Sequence, residues 1–334
     1  MTITLGHGSG GRLSHELTEQ HFLPRFSNAA LSALTDAAVL RVGELGELAL
    51  TTDGYVVTPR FFPGGDLGRL AVSGTVNDLA MVGAEPIALT AGFILEEGLA
   101  LAELDRIVDS MAATAREAGV SVVAGDTKVV ARGACDGVFI TTSGLGKISA
   151  GFRPDPSKAR PGDAVLLSGT MADHGMAVMA CREGLRLEGD LRSDVAPVID
   201  LVRALARAGV DVHTLRDPTR GGVAQSLLEI ATSASVQVVL DQRSLPIRAP
   251  VAAACELFGI DPLYVANEGK LIAFVPESQA ATAVAALRAH PLGQSATVIG
   301  HVQAADEPGV LLETPLGARR VIRMPLGELL PRSC

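Results

Sequence analysis

The chain has 334 residues, 48% hydrophobic and 19% charged, with a formal net charge of −9. That is the balance of a globular protein long enough for two domains. Its acidity argues against nucleic acid or an anionic membrane as the main partner. The four cysteines, Cys135, Cys181, Cys255 and Cys334, form no CxxC pair, which disfavours a disulfide framework or zinc knuckle and fits a reducing cytoplasm. No stretch reaches the ~18 apolar residues of a membrane span, and no apolar signal segment opens the sequence. Aromatics are only 3%, without tryptophan, so a bound base would rest on aliphatic contacts and backbone polar groups more than on stacking.

The glycine-rich opening Gly6-His7-Gly8-Ser9-Gly10-Gly11 leads into a helical pattern, with Leu13, Leu17, His21 and Phe22 near one face. A strand over 47–57 passes through Asp53-Gly54. The pattern then predicts a helix of small residues over 67–82, a strand over 87–94, a helix over 101–118 ending at Gly119, a short buried strand over 120–124 stopped by Gly125-Asp126, and a strand over 138–146. Three prolines fall within 153–162, which reads as an interdomain linker. Beyond it come a strand at 164–168, helices at 174–183 and 195–208, and a helix introduced by Gly221-Gly222. Strands at 236–240, 271–275 and 297–302 and a helix at 280–289 complete the pattern. Strands and helices alternate without a solenoid period, so the expected fold is two α/β sandwich domains. Their bounds are 1–152 and 163–322, followed by a tail over 323–334.

Four acids sit after apolar strands or at helix edges: Asp36, Asp53, Asp78 and Asp126. Carboxylates so placed gather where open α/β sheets bind ligands, and crowding them is unfavourable unless a cation neutralises them. Mg²⁺, which takes a few carboxylates plus phosphate oxygens, suits the set. Each acid alone can equally be a helix cap or turn. The opening loop, Gly8, Ser9, Gly10 and Gly11, offers backbone N–H groups to phosphate or is simply a flexible terminus. Thr219-Arg220-Gly221 is a second turn before a helix, and serves phosphate or caps a helix beside a surface arginine. Lys128, two residues from Asp126, and Glu268, before a strand, are candidate general bases or a solvated pair. Cys334 sits at the end of a Pro331-Arg332-Ser333-Cys334 tail, as an incidental thiol or as one presented on a tether.

Several longer motifs carry a resemblance. They are Thr51 to Pro59 (TTDGYVVTP), Gly74 to Met81 (GTVNDLAM), Gly125-Asp126-Thr127-Lys128, Asp217-Pro218-Thr219-Arg220-Gly221-Gly222 and Asn267-Glu268-Gly269-Lys270. Together with the opening loop and the tail, they make the chain resemble the hydrogenase maturation family HypE over essentially its whole length. Ser333 replaces the isoleucine usual in that family's tail. The resemblance implies the aminoimidazole ribonucleotide synthetase fold, with N-terminal mixed sheets pairing into a dimeric β-barrel and ATP near the interface. It implies ATP and Mg²⁺ as cofactors, with Thr52, Asn77 and Thr127 joining the nucleotide contacts. It further implies a reaction. A carbamoyltransferase, HypF, loads Cys334; ATP-driven dehydration turns the thiocarboxamide into a thiocyanate; and cyanide passes to iron on a HypC–HypD complex. Asp78, Lys128 and Glu268 become the proton-handling candidates, Asp78 also a metal ligand. A selenophosphate synthetase or thiamine-monophosphate kinase of the same fold is one alternative, although residues 1–30 contain no cysteine. A non-catalytic assembly factor with a docking tail is the other.

Overall fold

The computed structural model describes residues 11–22, 24, 34–43, 46–185 and 189–324. Gly8, Ser9, Gly10 and Cys334 lie outside them. After a short helix α1 (Arg12–Leu17), the first half builds β1 (Ala38–Arg41), β2 (Glu47–Tyr55) and a small ribbon of β3 (Phe61–Phe62) and β4 (Gly65–Asp66). Helix α2 (Leu67–Met81), β5 (Ala84–Glu96), helix α3 (Leu101–Ala118), β6 (Val122–Val130) and β7 (Val138–Ile148) follow. The five long strands form one open sheet in the order β1-β2-β7-β5-β6, antiparallel except for the parallel β5–β6 pair.

Helix α2 is the keystone of this half. Asp66 caps it by accepting from the Arg69 N–H at 2.9 Å. It is buried almost all round, including Ser73, Thr75 and Asn77, because the sheet covers one side and the second half of the chain covers the other. Thr75 and Asp78 share the face toward β2, whereas Asn77 faces the second half. There its amide donates to the carbonyls of Ala196 and Glu268 and accepts from Val198 N–H at 2.8 Å.

The second half contains β8 (Asp163–Leu167), α4 (Asp173–Arg182), α5 (Ile199–Arg207), β9 (Thr214–Arg216), α6 (Gly222–Ala234), β10 (Gln237–Asp241) and α7 (Ala249–Phe258). It ends with β11 (Ile272–Pro276), α8 (Ala280–Arg288), β12 (Thr297–Gln303), β13 (Gly309–Glu313) and β14 (Arg319–Ile322). Its seven strands run β14-β13-β10-β12-β8-β11-β9. β8 and β11 lie inside this sheet and are apolar at nearly every position, as strands covered on both faces must be. Beyond the Asn77 clamp, Arg203 bridges to Glu85 at 2.6 Å and Arg69 donates to the Val195 carbonyl at 2.7 Å, joining the halves.

Three sequence expectations need correction. The strand expected at 120–124 is β6, running through Gly125 and Asp126 to Val130, and it is exposed rather than buried. Among the described residues it pairs only with β5, at the sheet's edge, and its apolar residues Val122, Val123 and Val129 are exposed. The helix expected at 195–208 begins at Ile199, because residues 194–198 form an irregular connection held by Asn77 and by the 268–270 turn. The strand expected at 87–94 extends over the whole of β5. Strands β1, β9, β13 and β14 and helix α7 were not expected.

Candidate active site

Alternation along β2 puts Thr51, Asp53 and Tyr55 on the face toward α2, opposite Asp78. Thr51 donates to Asp78 Oδ2 at 2.7 Å and to the Asp36 carbonyl at 3.1 Å. Asp217 follows β9 and completes the group: carboxylate oxygens of Asp36, Asp78 and Asp217 all lie within 4.8 Å of one another. Asp53 borders them, 3.8 Å from Arg220, and accepts from the Tyr55 hydroxyl at 3.4 Å.

Three like charges in a buried place cannot all ionise cheaply. Burial, and then the charges of Asp217, Asp53 and Asp36, push the Asp78 carboxyl well above its usual range. Burial and Asp36 raise Asp217 to about 7, against the lowering pull of Arg216. Asp36 and Asp53 are raised by burial despite Arg216 and Arg220 respectively. Arg216 is the built-in counter-charge, 2.9 Å from Asp36 and also paired with Glu229. One guanidinium shared between Asp36 and Glu229 leaves the triad only partly compensated. An oxygen-only donor set under that repulsion fits a hard divalent cation.

The triad lies in a cleft of about 800 Å³ between the halves, lined also by His15, Thr52, Thr219, Arg220, Glu229 and Met324. Helix α6 opens onto this cleft. Its cap, Gly221, has φ +77° and supplies no side chain, and Gly222 follows at φ +62°. A Cβ on Gly222 would strike the Val265 carbonyl at 2.7 Å. Glycine therefore lets the turn close beside Thr219 and Arg220, which line the cleft and offer a hydroxyl and a guanidinium to an anion.

Glu268 lies below, in a recess it shares with Asp53, Tyr55, Gly74, Asp78, Asp217, Thr219 and Arg220. Its main chain is fixed: Asp194 accepts from the N–H groups of Glu268 and Gly269 and from Lys270 Nζ at 3.0 Å. Burial opposes the Asp194 charge, yet Lys270 and His174 more than offset it and keep this carboxyl below its usual value. The Glu268 side chain is different. It is 3% exposed, its Oε1 has no hydrogen-bond partner among the described residues, and burial with the charges of Asp217 and Asp194 raises its carboxyl well above the ordinary range. A buried carboxyl with a raised pKa and an unused oxygen is equipped to take up a proton from a bound group.

The sequence-predicted residues therefore divide. Asp36, Asp53, Asp78, Thr219 and Arg220 line the cleft, Glu268 lines the recess below it, and Gly221 caps α6 next to Arg220. Thr52 lies on its wall, with its hydroxyl bonded to the Thr142 carbonyl and to Ser143. Gly11, the first residue described, is buried just before α1, which reaches the cleft through His15 and Leu17. Asn77 lines neither the cleft nor the recess, and its amide bonds across the two halves. Asp126, Thr127 and Lys128 stand apart on β6, where Asp126 and Lys128 pair with each other at 2.9 Å and are each 71% exposed. Register places Asp126 and Lys128 beside Gly92 and Ile94 of β5, on the sheet face turned away from α2 and three strands from β2, outside the residues that line their own chain's cleft. Asp217, Tyr55 and Arg216 were not singled out. Only Asp217 left a signal, an acid following a short apolar strand and preceding a glycine turn.

Comparison with known proteins gives this geometry a context. Residues 34–148 match the N-terminal domain, and residues 160–313 the C-terminal domain, of the AIR synthase related proteins. The chain is 50% identical, over 100% of its length and 97% of the relative's, to the carbamoyl dehydratase HypE of Azotobacter vinelandii. It is similar to a crystal structure of the hydrogenase maturation protein HypE in complex with ATP, at 48% identity and a TM-score of 0.84 over 100% of both chains. It is also similar to a chain of a HypE–HypF complex, at 46% identity and a TM-score of 0.88 over 92% of this chain and 99% of that one.

Proposed function

The chain belongs to the AIR synthase related proteins and, among them, to the carbamoyl dehydratase HypE family, and on that premise we propose how its cleft and its terminal cysteine act together. It is an ATP-dependent enzyme of hydrogenase maturation that dehydrates the S-carbamoylated Cys334 to a thiocyanate, the source of a cyanide ligand for [NiFe] hydrogenase iron. ATP binds in the cleft, with its phosphates at the start of α6 and Arg220. Its carbamoylating partner is HypF.

The chemistry follows from the amide. Its oxygen is a poor leaving group. Attack of that oxygen on the γ-phosphorus expels ADP and makes the oxygen part of a phosphate ester. Loss of the nitrogen protons and departure of phosphate then leave the C≡N bond, so water is removed in the form of phosphate. Glu268 accepts a proton from the amide nitrogen, and Arg220 with the α6 N–H groups holds the charge of the transferring group. Asp36, Asp78 and Asp217 would hold Mg²⁺, with Asp53 beside them; bound there, it would neutralise the triad and the phosphate oxygens. Asp126 and Lys128 reach a site only from a second copy. The exposed apolar residues Leu50 and Ile94 on the helix-free sheet face and Val123 on β6 support a homodimer joined there. The HypC–HypD complex is the proposed cyanide acceptor. Among the described residues no helix is long and apolar enough to cross a membrane, which suits the proposed cytoplasmic setting.

One observation carries the reading: Met324, where the described chain gives way to the tail, lines the same cleft as the acidic triad. Ten further residues at up to ~3.5 Å each give Cys334 a reach of roughly 35 Å. The test is mass spectrometry of the C-terminal peptide after exposure to HypF with a carbamoyl donor, and again after Mg²⁺–ATP. A carbamoyl group on Cys334 that loses one water only when ATP is added is the expected result. An adduct unchanged by ATP, or one on another cysteine, overturns the reading.

A further inference from the structure

The tail leaves β14 at a defined place. Tyr264 donates its hydroxyl to the Arg323 carbonyl at 2.9 Å, and the same oxygen accepts from the Arg323 N–H at 3.4 Å. Just before, Arg320 pairs with Asp261 at 2.7 Å. Both partners belong to one segment, 261–264, whose own start is set by Asp261 accepting from Leu263 N–H at 3.0 Å. The Tyr264 ring is half-buried and packs against the core of the second half.

That segment continues into the active site. Asn267 donates to the carbonyls of Pro218 and Val265 and accepts from Ala172 N–H at 2.7 Å. Gly222 sits against the carbonyls of Leu263 and Val265. Glu268 is only four residues beyond Tyr264. One rigid stretch of chain, 261–268, thus touches the tail root at one end, the α6 turn in the middle, and carries the proton acceptor at the other.

We propose that Tyr264 is a positioning residue that latches the root of the tail at the rim of the cleft and biases Cys334 toward its own active site rather than toward the carbamoyl donor enzyme. The inference rests on the tail-delivery reading above. Its physical basis is direction rather than length. Freeing two more residues of a ten-residue tether changes its closure entropy little, since that cost grows only logarithmically. Freeing its origin and heading lets the tail occupy outward positions that the latch excludes, and so lowers the inward population. The two reactions of Cys334 need opposite positions, one inside the cleft and one on another protein. Loosening the latch must therefore affect them in opposite directions.

The test is Tyr264→Phe, which keeps the ring in the core and removes both hydrogen bonds. The variant is loaded with the carbamoyl group, freed of donor, and mixed with excess Mg²⁺–ATP, and conversion at Cys334 is followed in a single turnover. One or two exposed hydrogen bonds set the scale, so conversion should slow about three- to tenfold. ATP affinity and the unfolding midpoint should match wild type. Loading by the donor enzyme should be as fast as in wild type or faster. Equal conversion rates in variant and wild type overturn the latch while leaving tail delivery standing. A parallel fall in conversion, loading and ATP affinity also overturns it, since that pattern marks a structural role. Failure of wild-type conversion in the same assay overturns the functional reading itself.

Discussion

Two groups of charged residues in this chain look alike in sequence and differ in every physical respect. Asp78, half-buried in the cleft, and Glu268, buried in the recess below it, have carboxyls raised well above the ordinary range by desolvation and by their acidic neighbours. Asp126 and Lys128 sit on the edge strand β6, exposed and paired, and the Asp126 carboxyl is lowered, first by its hydrogen bond from Lys128. An exposed ion pair contributes little and constrains little. A buried acid without a counter-charge stores repulsion that a proton, a cation or a substrate can relieve. Chemistry at the first group needs only this chain, whereas the second can contribute only after something covers β6.

The contrast is broken most severely at Glu268. Glu268→Gln keeps the shape of the recess but removes the proton acceptor. Conversion of the carbamoylated tail should fall by about 10²- to 10⁴-fold, with ATP affinity by calorimetry close to wild type. A variant that still makes thiocyanate at the wild-type rate would remove Glu268 as the base.

The acidic triad offers a smaller and more diagnostic effect. Burial and the charge of Asp36 raise the Asp217 carboxyl to about 7 in the folded chain, against about 3.9 for an ordinary aspartate. The metal-free folded state thus holds a proton that the unfolded chain has released between those pH values. Its stability should decline as pH rises through that window, with the full penalty present above it. Urea unfolding at pH 5 and pH 8 should show this slope, and Mg²⁺ with ATP should flatten it. Asp217→Asn should weaken Mg²⁺-dependent ATP binding by roughly 10- to 100-fold, yet unfold with less pH dependence when metal-free. A variant less stable than wild type at pH 8 without metal would show that the three carboxylates do not repel as described.

Much of this contrast was legible beforehand. The acids Asp36, Asp53 and Asp78 could be grouped because each sits beside an apolar stretch, and Glu268 because it precedes a strand. Helices α2 and α3 followed from small-residue and amphipathic spacing, with Gly119 marking the end of α3 by its αL conformation. What failed depended on distant partners. Asn77 reads like a ligand-binding asparagine, but its bonds go to Ala196, Val198 and Glu268, more than a hundred positions away. Gly125-Asp126 reads as a strand end, yet β6 continues because β5 offers a parallel edge through Glu96. Helix α7 escaped notice because its run is almost uniformly apolar, with no polar face to set a period. Arg216 was invisible since its two acidic partners, Asp36 and Glu229, meet it only in the folded chain.

The exposed pair gives the last and smallest effect, and it decides whether β6 belongs to a shared site. Asp126 and Lys128 lie on the edge strand β6, three strands from β2 and on the sheet face turned away from α2, outside the lining of their own chain's cleft. A two-fold dimer joined through that face would bring each Lys128 to the other copy. Lys128→Ala and Glu268→Gln should then each be impaired alone, provided that lysine takes part in the reaction. Mixed in equal amounts and allowed to exchange, half of the dimers are hybrids. Each hybrid has one site with both residues intact and one with both lost, so about a quarter of the wild-type rate should return. Were Lys128 to act within its own chain, every site in the hybrid would carry one defect and nothing would return. Intact-mass analysis of carbamoylated Cys334 after exchange reads the difference directly. It also shows which chain's tail was converted, and so whether the tail stays with the Glu268 of its own subunit, as the Tyr264 latch requires.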